Sequence, residues 1–449
     1  MDELEAPLAV SYSVRLVRGR PLRQATMRLL LLLAALIGRG GAFLAPQRAR
    51  ARPLAARRAS PLLLDHLNLN HEKGRHDLLK AFYFDVLGCA VDPRKEENLE
   101  KGRKTLWANS GINQFHLPEA ETAQVLDGVV SMAYPSLDAV RARLEDAPAV
   151  LAASKFAWHE TDGQLVVTDP WGSRFRIFAD PSMRDERGVQ PGDASEPCAV
   201  TDLCVHVPEG GNLRGIGNFY RRVLDCDIRH EDENSLAVAM GPKQTLTFRY
   251  RPADAPLAGP VAHAQLETVN DEDGVERTLN HGIHISLYIP DLPSAYERAE
   301  ALGVTFVNHR FKRRAHTMEE AVDQCMFRLL DIVDPEQPDA GPILRLEHEV
   351  RSVLKADGSL YKSCPFYEIP LVCSSIAASR RSAELRRAAR AAVSELRRAA
   401  QRRAAEVEAP MSFFEFYHQH PYACYVENGD MDMDAIRFDY EQLHGKHKK

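Results

Sequence analysis

The sequence lacks several features that would assign a functional class directly. Its eight cysteines are scattered, with no CxxC pair among them, which argues against a thiolate zinc site and a disulfide framework. We therefore expect isolated thiols in a reducing compartment. The chain also lacks a positive charge excess, and its net charge of -6 gives no reason to expect nucleic acid as a partner. Apolar content of 45% and charged content of 27% allow an ordinary globular core.

Long apolar runs are also absent. The longest near the N-terminus, residues 29–37, has nine apolar residues, too few to cross about 30 Å of hydrocarbon, so we expect no membrane anchor. Arg28 precedes this run, and Gly40, Gly41 and Ala42 follow it as small residues. These features predict a signal peptide with a cleavage site before Phe43.

The segment after Phe43 is rich in arginine and has no acid before Asp65. A signal peptide followed by such a stretch resembles the two-part plastid presequence of algae with secondary plastids. Residues 1–61 are therefore expected to be a signal plus transit presequence directing the protein to a plastid, with Met27 as the true initiator. Secretion with a basic propeptide is the alternative. The arginines of the stretch are Arg48, Arg50, Arg52, Arg57 and Arg58.

The rest of the chain contains an internal repeat. The segment FYFDVLGC at 82–89 is echoed by FYRRVLDC at 219–226. Each copy follows a run that alternates apolar and polar residues as a half-buried strand does, LDHLNLN at 64–70 and TDLCVHV at 201–207. The chain therefore carries two related modules.

Further landmarks divide each module into two units. VVSMAYPSLDAV at 129–140 aligns with HISLYIPDLPSA at 284–295, and each module ends in an Asp-Pro turn before a last strand, at 169–170 and 334–335. The pattern of strand, helix and three short strands then occurs four times. The predicted units are 62–120, 126–180, 199–252 and 280–350.

The motifs DHLNL, FYFDVLG, INQFHLP and DPWG in this order resemble the vicinal-oxygen-chelate superfamily, which includes glyoxalase I, fosfomycin resistance proteins and extradiol dioxygenases. The resemblance implies an α+β fold in which four βαβββ units pair into two open β-barrel cups. We assign residues 62–182 to the first module, 183–198 to a linker and 199–352 to the second module. Residues 353–449 form a C-terminal extension.

A basic Ala/Arg helix is predicted within that extension. Residues 380–408 contain nine arginines and four glutamates. The helix is interpreted either as solvated or as a surface that binds a partner.

The resemblance also implies one divalent metal in a cup, held by side chains of the first and last strands of two paired units. Only every second side chain of a strand points into the cup. If neighbouring units pair, the candidate ligands divide between both cups. If units pair crosswise, one with four and two with three, His66, Gln114, His284 and Glu347 share one cup. The other cup then holds Val129, Arg176, Asp202 and Thr247, which are poor ligands as a set.

We favour the crosswise pairing because it gathers the good ligands in one place. The predicted metal site is therefore His66, Gln114, His284 and Glu347, suited to Zn, Ni, Fe or Mn. Alternatives remain open at three positions: His281 in place of His284, His348 and Glu349 as edge-strand charges, and His116 as a second cup-lining residue.

The predicted function is a glyoxalase-like lyase or isomerase acting on a small oxygenated substrate. In this reading Glu347 is the general base that moves a proton alpha to a carbonyl, while the metal acts as a Lewis acid. An extradiol-type dioxygenase is one alternative, because two His and one carboxylate also suit non-haem Fe(II). A metal-free binding protein, similar to bleomycin-resistance proteins, is the other.

Overall fold

The described residues form two eight-stranded mixed sheets and three two-stranded ones. The computed structural model describes residues 61–102, 104–183, 195–253, 263–361, 364–407, 426–427 and 430–431. Apart from residue 61, the predicted presequence lies outside the described residues. Within these ranges, no helix has the length and apolar character needed to cross a bilayer.

The first unit contributes a central strand and a three-stranded edge. Its strands β4 and β5 alternate buried and half-buried residues, as expected for strands with one face on the core. The helix α1 continues as a π-type turn over Lys80–Val86, which buries Phe82, Tyr83 and Val86 against the sheet. The elements are β1 (Leu63–Asn68), β2 (His71–Glu72), α1 (His76–Leu79), β3 (Ala90–Val91), a 3-10 turn (Pro93–Lys95), α2 (Glu96–Glu100), β4 (Leu106–Ser110), β5 (Asn113–Leu117) and β6 (Glu119–Ala120).

The second unit ends in the DPWG turn identified in the sequence. There the Asp169 carboxylate accepts hydrogen bonds from the backbone N–H groups of Trp171 at 2.9 Å, Gly172 at 2.6 Å and Ser173 at 2.8 Å. These bonds fix the start of the last strand. The elements are β7 (Gly128–Tyr134), α3 (Asp138–Glu145), a 3-10 turn (Ala149–Ala153), β8 (Ala157–Thr161), β9 (Gln164–Thr168) and β10 (Arg174–Ala179).

The third unit repeats the pattern of the first. Asn212 caps its helix by accepting a hydrogen bond from the backbone N–H of Gly215 at 2.8 Å. Phe219 and Tyr220 of the repeated FYRRVLDC segment are buried against the sheet. The elements are β11 (Ala199–Val207), α4 (Leu213–Val223), β12 (Ile228–Glu231), β13 (Ser235–Gly241) and β14 (Gln244–Tyr250).

The fourth unit follows a separate hairpin, and a long helix comes after it. The helix α7 includes almost all of the predicted basic segment but begins nine residues earlier, and most of its described side chains are exposed. The elements are β15 (Leu266–Asn270), β16 (Glu276–Asn280), β17 (His284–Ile289), α5 (Leu292–Ala301), β18 (Thr305–Phe306), α6 (Met318–Gln324), β19 (Met326–Val333), a 3-10 turn (Pro338–Ala340), β20 (Pro342–Ser352), α7 (Leu371–Val407), β21 (Val426–Glu427) and β22 (Asp430–Met431).

The units pair crosswise. In the first sheet, β17 of the fourth unit lies antiparallel to β1 of the first, and the strand order is β18-β19-β20-β17-β1-β5-β4-β3. In the second sheet, β11 of the third unit lies antiparallel to β7 of the second, with the order β12-β13-β14-β11-β7-β10-β9-β8. This confirms the predicted crosswise pairing and excludes the pairing of neighbours. Each sheet is open, with a cup on its concave face.

Two buried amides join the sheets symmetrically. Asn113, at the start of β5, donates to the Leu64 carbonyl at 2.5 Å and accepts from the Val200 N–H at 2.7 Å. Gln244, at the start of β14, donates to the Val200 carbonyl at 2.9 Å and accepts from the Leu64 N–H at 3.1 Å. Because buried backbone groups need partners, these amides fix the central strands β1 and β11 against each other.

Gly128 provides a test of the crosswise pairing. A Cβ atom at this position in β7 would lie 1.9 Å from the Cys204 carbonyl oxygen of β11. We expect Gly128→Ala to lower the free energy of unfolding by about 3 kcal/mol or more, since the backbone of β11 must move. Urea denaturation measures this change.

The control is Gly163→Ala, in the β8–β9 hairpin, where a Cβ meets nothing within 4 Å. Its φ of 69° makes it a strained position, so alanine costs about 1 kcal/mol there. Equal effects of the two substitutions would contradict the contact between β7 and β11.

Candidate metal centre

The β1–β17 ladder brings two histidines together across the first sheet. His66 lies in the middle of β1 and His284 is the first residue of β17. Their Nε2 atoms lie 3.4 Å apart although the residues are separated by 218 positions in the sequence. Both side chains are almost completely buried. The two strands therefore place two imidazole nitrogens next to each other on one face of the sheet.

A carboxylate fixes the orientation of the first imidazole. The Nδ1–H of His66 donates to Asp65 Oδ2 at 2.9 Å, so Nε2 carries the lone pair and faces His284. Burial lowers the pKa of His66, although the hydrogen bond to Asp65 opposes this effect. Burial, together with the charge of Arg328, holds the pKa of His284 well below its usual value. Both imidazoles are therefore neutral at pH 7 and able to donate to a metal.

Glu349 of β20 brings a second carboxylate beside the two histidines. Its Oε2 lies 3.9 Å from His284 Nε2, and the ligand atoms of His66, His284 and Glu349 all lie within 4.8 Å of one another. Burial raises the pKa of Glu349, but the guanidinium groups of Arg351 and Arg328 outweigh burial and hold it well below its usual value. The cluster thus contains two neutral imidazoles and one ionised carboxylate.

The structure does not bring Glu347 to this cluster. Its side chain is completely buried and accepts hydrogen bonds from Arg328 Nη1 at 2.5 Å, Asn280 Nδ2 at 2.7 Å and Asn308 Nδ2 at 2.8 Å. These three donors occupy both carboxylate oxygens of the residue predicted to be the general base.

Gln114 lies next to His66 but its amide is used elsewhere. The two residues are opposite each other on β5 and β1. The Gln114 Nε2 group donates to Asp92 Oδ2 at 2.8 Å and Asn109 Oδ1 at 2.6 Å, while its Oε1 lies 3.2 Å from His116 Nε2. The predicted fourth ligand is therefore part of a polar network beside the cluster.

Strand register explains why Glu349 is nearer than Glu347. Both point to the cup face, because they are two residues apart on one strand. Glu347 is level with His284, whereas Glu349 is level with Ser286, the residue directly opposite His66. The short side chain of Ser286 leaves room for Glu349 to reach over it. The LEHE motif alone carried no signal that distinguishes the two acids.

A cavity of about 1260 Å³ opens over this cluster. His66, His284 and Glu349 all contribute to its wall. Seven cationic side chains line the cavity against three acidic ones, Asp65, Asp92 and Glu349, so the cup carries a positive charge excess. The cationic residues are Arg94, Lys95, Arg310, Lys312, Arg313, Arg328 and Arg351.

Arg310 differs from the other arginines of this wall. Its Nη1 is buried and has no hydrogen-bond partner in the described part of the chain, and burial lowers its pKa. Arg328 and Arg351, by contrast, are both paired with Glu349. Arg310 therefore offers a donor that a ligand in the cup can use.

His116 also lines the cup, as one sequence alternative proposed. Its ring stacks on His66, with centroids 3.7 Å apart, and on Trp107 at 4.4 Å. Since the Gln114 amide nitrogen donates to two acceptors, its Oε1 accepts from the Nε2–H of His116. The Nδ1 of His116 therefore carries the lone pair.

His281, the alternative to His284 as a ligand, lies outside the cup. Its ring bonds to Glu267 at 2.8 Å and is partly exposed. It therefore takes no part in the cluster.

The second cup has a different polar arrangement. Asp202 accepts hydrogen bonds from the hydroxyl groups of Thr245 and Thr247, each at 2.6 Å, and Arg176 donates to Ser131 at 3.0 Å. Burial raises the pKa of Asp202. Within the described ranges, no group of three metal-type ligands converges in this cup.

Comparisons with known proteins give distant similarities. No known protein family and no curated protein matches the chain. Among solved structures, a Bacillus subtilis protein described as a dioxygenase has a TM-score of 0.38 and 11% identity, covering 65% of this chain and 86% of that chain. The 2,3-dioxygenase LapB from Pseudomonas sp. KL28 has a TM-score of 0.23 and 14% identity, covering 70% and 97%. The Mn(II)-bound glyoxalase from Novosphingobium aromaticivorans has a TM-score of 0.22 and 14% identity, covering 65% and 82%.

These values are too low to carry a functional argument, and the fold follows from the strand order itself. Each of the four units contributes one strand before its first helix and three strands after it to the large sheets, and the units pair crosswise on two open sheets. The described residues therefore have the predicted α+β fold, with four units paired crosswise on two open sheets.

Proposed function

We propose that the protein is a divalent-metal-dependent enzyme whose metal is held by His66, His284 and Glu349. The observation that supports this most is the convergence of two imidazole nitrogens and a carboxylate oxygen within 4.8 Å at the wall of a large cup. The three residues come from two different units, so the site depends on the crosswise pairing.

The chemistry of the donor set fits a divalent transition metal. Two neutral imidazoles and one carboxylate suit Fe(II), Mn(II) or Zn(II) and leave coordination positions open. The hydrogen bond from His66 Nδ1 to Asp65 is of the kind that orients metal-ligating histidines through their other ring nitrogen. The cup supplies access for a small molecule.

Arg328 and Arg351 compete with a metal for Glu349. Arg328 Nη2 donates to Glu349 Oε2 and Arg351 Nε to Oε1, both at 2.5 Å. A metal bound at Oε2 must displace Arg328 from that oxygen. Glu347 makes this feasible, because it holds the other terminal nitrogen of Arg328 and keeps the charge of the arginine paired. In this proposal Glu347 is a positioning residue for Arg328.

The geometry favours a dioxygenase-type reaction over the isomerase type. A two-His, one-carboxylate triad with open positions is typical of non-haem Fe(II) oxygenases. Gln114 would complete a four-ligand site, but its amide is hydrogen-bonded to Asp92. Glu347 would provide a base, but its carboxylate is paired with Arg328. A bound Fe(II) would supply the activation of oxygen and hold two adjacent substrate oxygens.

The protein side chains bind and orient the substrate. The lone pair at His116 Nδ1 accepts a hydrogen bond from a substrate hydroxyl, and the stacked rings of His66, His116 and Trp107 offer one side of an aromatic wall. Arg310 presents its unpartnered Nη1 to an anionic group. The preferred substrate is therefore a small molecule with adjacent oxygens and a carboxylate or phosphate.

One observation favours metal-free binding as a second candidate. The carboxylate of Glu349 is already neutralised by two arginines, and the cup has an excess of positive charge. An anionic ligand would enter such a cup without any metal. Metal analysis separates this candidate from the enzyme.

The paired charges of Arg328 and Glu347 give a stability prediction. Arg328→Met leaves the buried Glu347 carboxylate without its countercharge, so we expect the free energy of unfolding to fall by about 3–5 kcal/mol. The double variant Arg328→Met/Glu347→Gln removes the charge of this pair, keeps an acceptor for Asn280 and Asn308, and should recover part of this loss, since Glu349 keeps Arg351 as its partner. Chemical denaturation of the two variants and the native protein measures the difference. If the double variant recovers none of the lost free energy of unfolding, Glu347 is not the charge partner on which stability depends.

Metal content tests the ligand set directly. Glu349→Gln and His284→Ala are each expected to lose one equivalent of transition metal relative to the native protein, because each removes one of three ligands. The matched control His281→Ala should keep the native content, since His281 lies outside the cup and bonds to Glu267. Mass spectrometry of metals in the purified full chain provides the reading. If Glu349→Gln and His284→Ala both keep the native metal content, the proposed metal site is wrong and metal-free binding is the remaining candidate.

Substrate charge and reaction class are tested together. The Fe(II)-loaded protein should consume oxygen with 3,4-dihydroxybenzoate at a KM roughly tenfold lower than with neutral 4-methylcatechol, because a charged hydrogen bond contributes about 1.5–3 kcal/mol. Arg310→Met should remove this preference while leaving turnover of 4-methylcatechol unchanged. Oxygen electrode traces give both parameters. Turnover of the methylglyoxal–glutathione hemithioacetal without oxygen uptake would instead support the isomerase.

A further inference from the structure

A second group of metal-type ligands lies outside the cup. The short strand β2 runs parallel to β6, with His71 opposite Glu119. This two-stranded ribbon follows β1 and β5 in the chain, and none of His71, His76 and Glu119 lines the cup. His76, the first residue of α1, lies beside the ribbon. The group is therefore separate from the site at His66 and His284.

The three side chains are close enough to share one ion. The rings of His71 and His76 have centroids 4.9 Å apart, and His76 Nε2 lies 3.7 Å from Glu119 Oε1. One ligand atom from each of the three residues lies within 4.8 Å of the others. Both histidines are buried, and Glu119 is partly buried.

The hydrogen bonds of His76 leave one nitrogen for a metal. Its Nε2–H donates to the Lys104 carbonyl at 3.1 Å, so Nδ1 carries the lone pair. That Nδ1 is buried and has no hydrogen-bond partner among the described residues. A backbone carbonyl that holds the far nitrogen of a histidine is a frequent feature of metal sites.

His71 also has buried nitrogens without an adequate partner. Neither ring nitrogen reaches hydrogen-bond geometry with a residue in the described ranges. Burial lowers the pKa of His71 to about 4, and the nearby carbonyls of Leu117 and Pro118 oppose this only in part. Leaving a buried polar atom unpaired costs free energy. A metal ion would satisfy the free nitrogens of both histidines at once.

Glu119 is positioned as the third ligand. Its Oε2 accepts a hydrogen bond from the Lys104 N–H at 2.9 Å, which fixes the carboxylate beside the His76 ring, with Oε1 3.7 Å from Nε2 of that ring. Lys104 thus orients two of the three residues, one through its carbonyl and one through its N–H.

We propose that His71, His76 and Glu119 bind a structural Zn²⁺ ion that fastens the β2–β6 ribbon to α1. Two imidazoles and one carboxylate, completed by a water molecule, form a four-coordinate zinc site. The ribbon also meets the second unit, where Trp171 Nε1 lies 3.4 Å from Glu72 Oε2 and the Trp171 ring lies 6.3 Å from His71. The ion therefore stabilises the place where the first unit contacts the DPWG turn.

Zinc titration of the full-length protein tests this proposal, with His284→Ala used to remove the site in the cup. After treatment with a chelator, His284→Ala should still bind one equivalent of Zn²⁺, and its thermal midpoint should rise when zinc is added. Adding Glu119→Gln to this background should weaken zinc binding by at least about tenfold and abolish the rise in midpoint. Gln keeps an acceptor for the Lys104 N–H, so the fold is preserved.

His76→Gln in the same background is the second variant, and it should act like Glu119→Gln. If the native protein and His284→Ala both bind one equivalent, the cup site fails but this proposal stands. If His284→Ala binds no zinc, or if both added substitutions leave its zinc affinity unchanged, this proposal is overturned.

Discussion

The antiparallel ladder between β1 and β17 is the interaction on which the candidate metal centre depends. It pairs the first unit with the fourth, and it places His66 opposite Ser286, two residue pairs along the ladder from His284. A shift of one residue would turn one histidine to the opposite face of the sheet. The buried amides Asn113 and Gln244 hold β1 against the other sheet and so support the same register.

Charge balance is the second constraint on the cup. Glu349 is fully enclosed with two arginines, and Arg328 is shared between Glu349 and Glu347. Buried charges are tolerated only when they are paired, so the cluster forms a closed network of alternating sign. This network stabilises the Glu349 carboxylate in its ionised form. A further cation at Glu349 must displace one of its arginines, which costs free energy. The positive excess of the surrounding wall instead favours an anionic ligand.

The two cups have a similar strand framework but differ in the side chains that line them. Asn113 and Gln244 occupy equivalent positions and make equivalent bonds, so the frame is nearly symmetric. The side chains that line the two cups are not symmetric. In the second cup the carboxylate of Asp202 is occupied by two threonine hydroxyls, whereas the first cup directs two imidazoles at an open cavity.

The sequence by itself determined the four units, their order and their fold, because alternating strands, Asp-Pro turns and a repeated FY…VL helix are local patterns. It also indicated His66 and His284, since histidines at the first strand of a unit fall on the predicted cup face. Tertiary structure alone decided which units pair, and that Glu349 rather than Glu347 approaches the histidines. Two acids on one face of one strand are equivalent locally. Only the register of three strands, and the buried donors Arg328, Asn280 and Asn308 around Glu347, separates them.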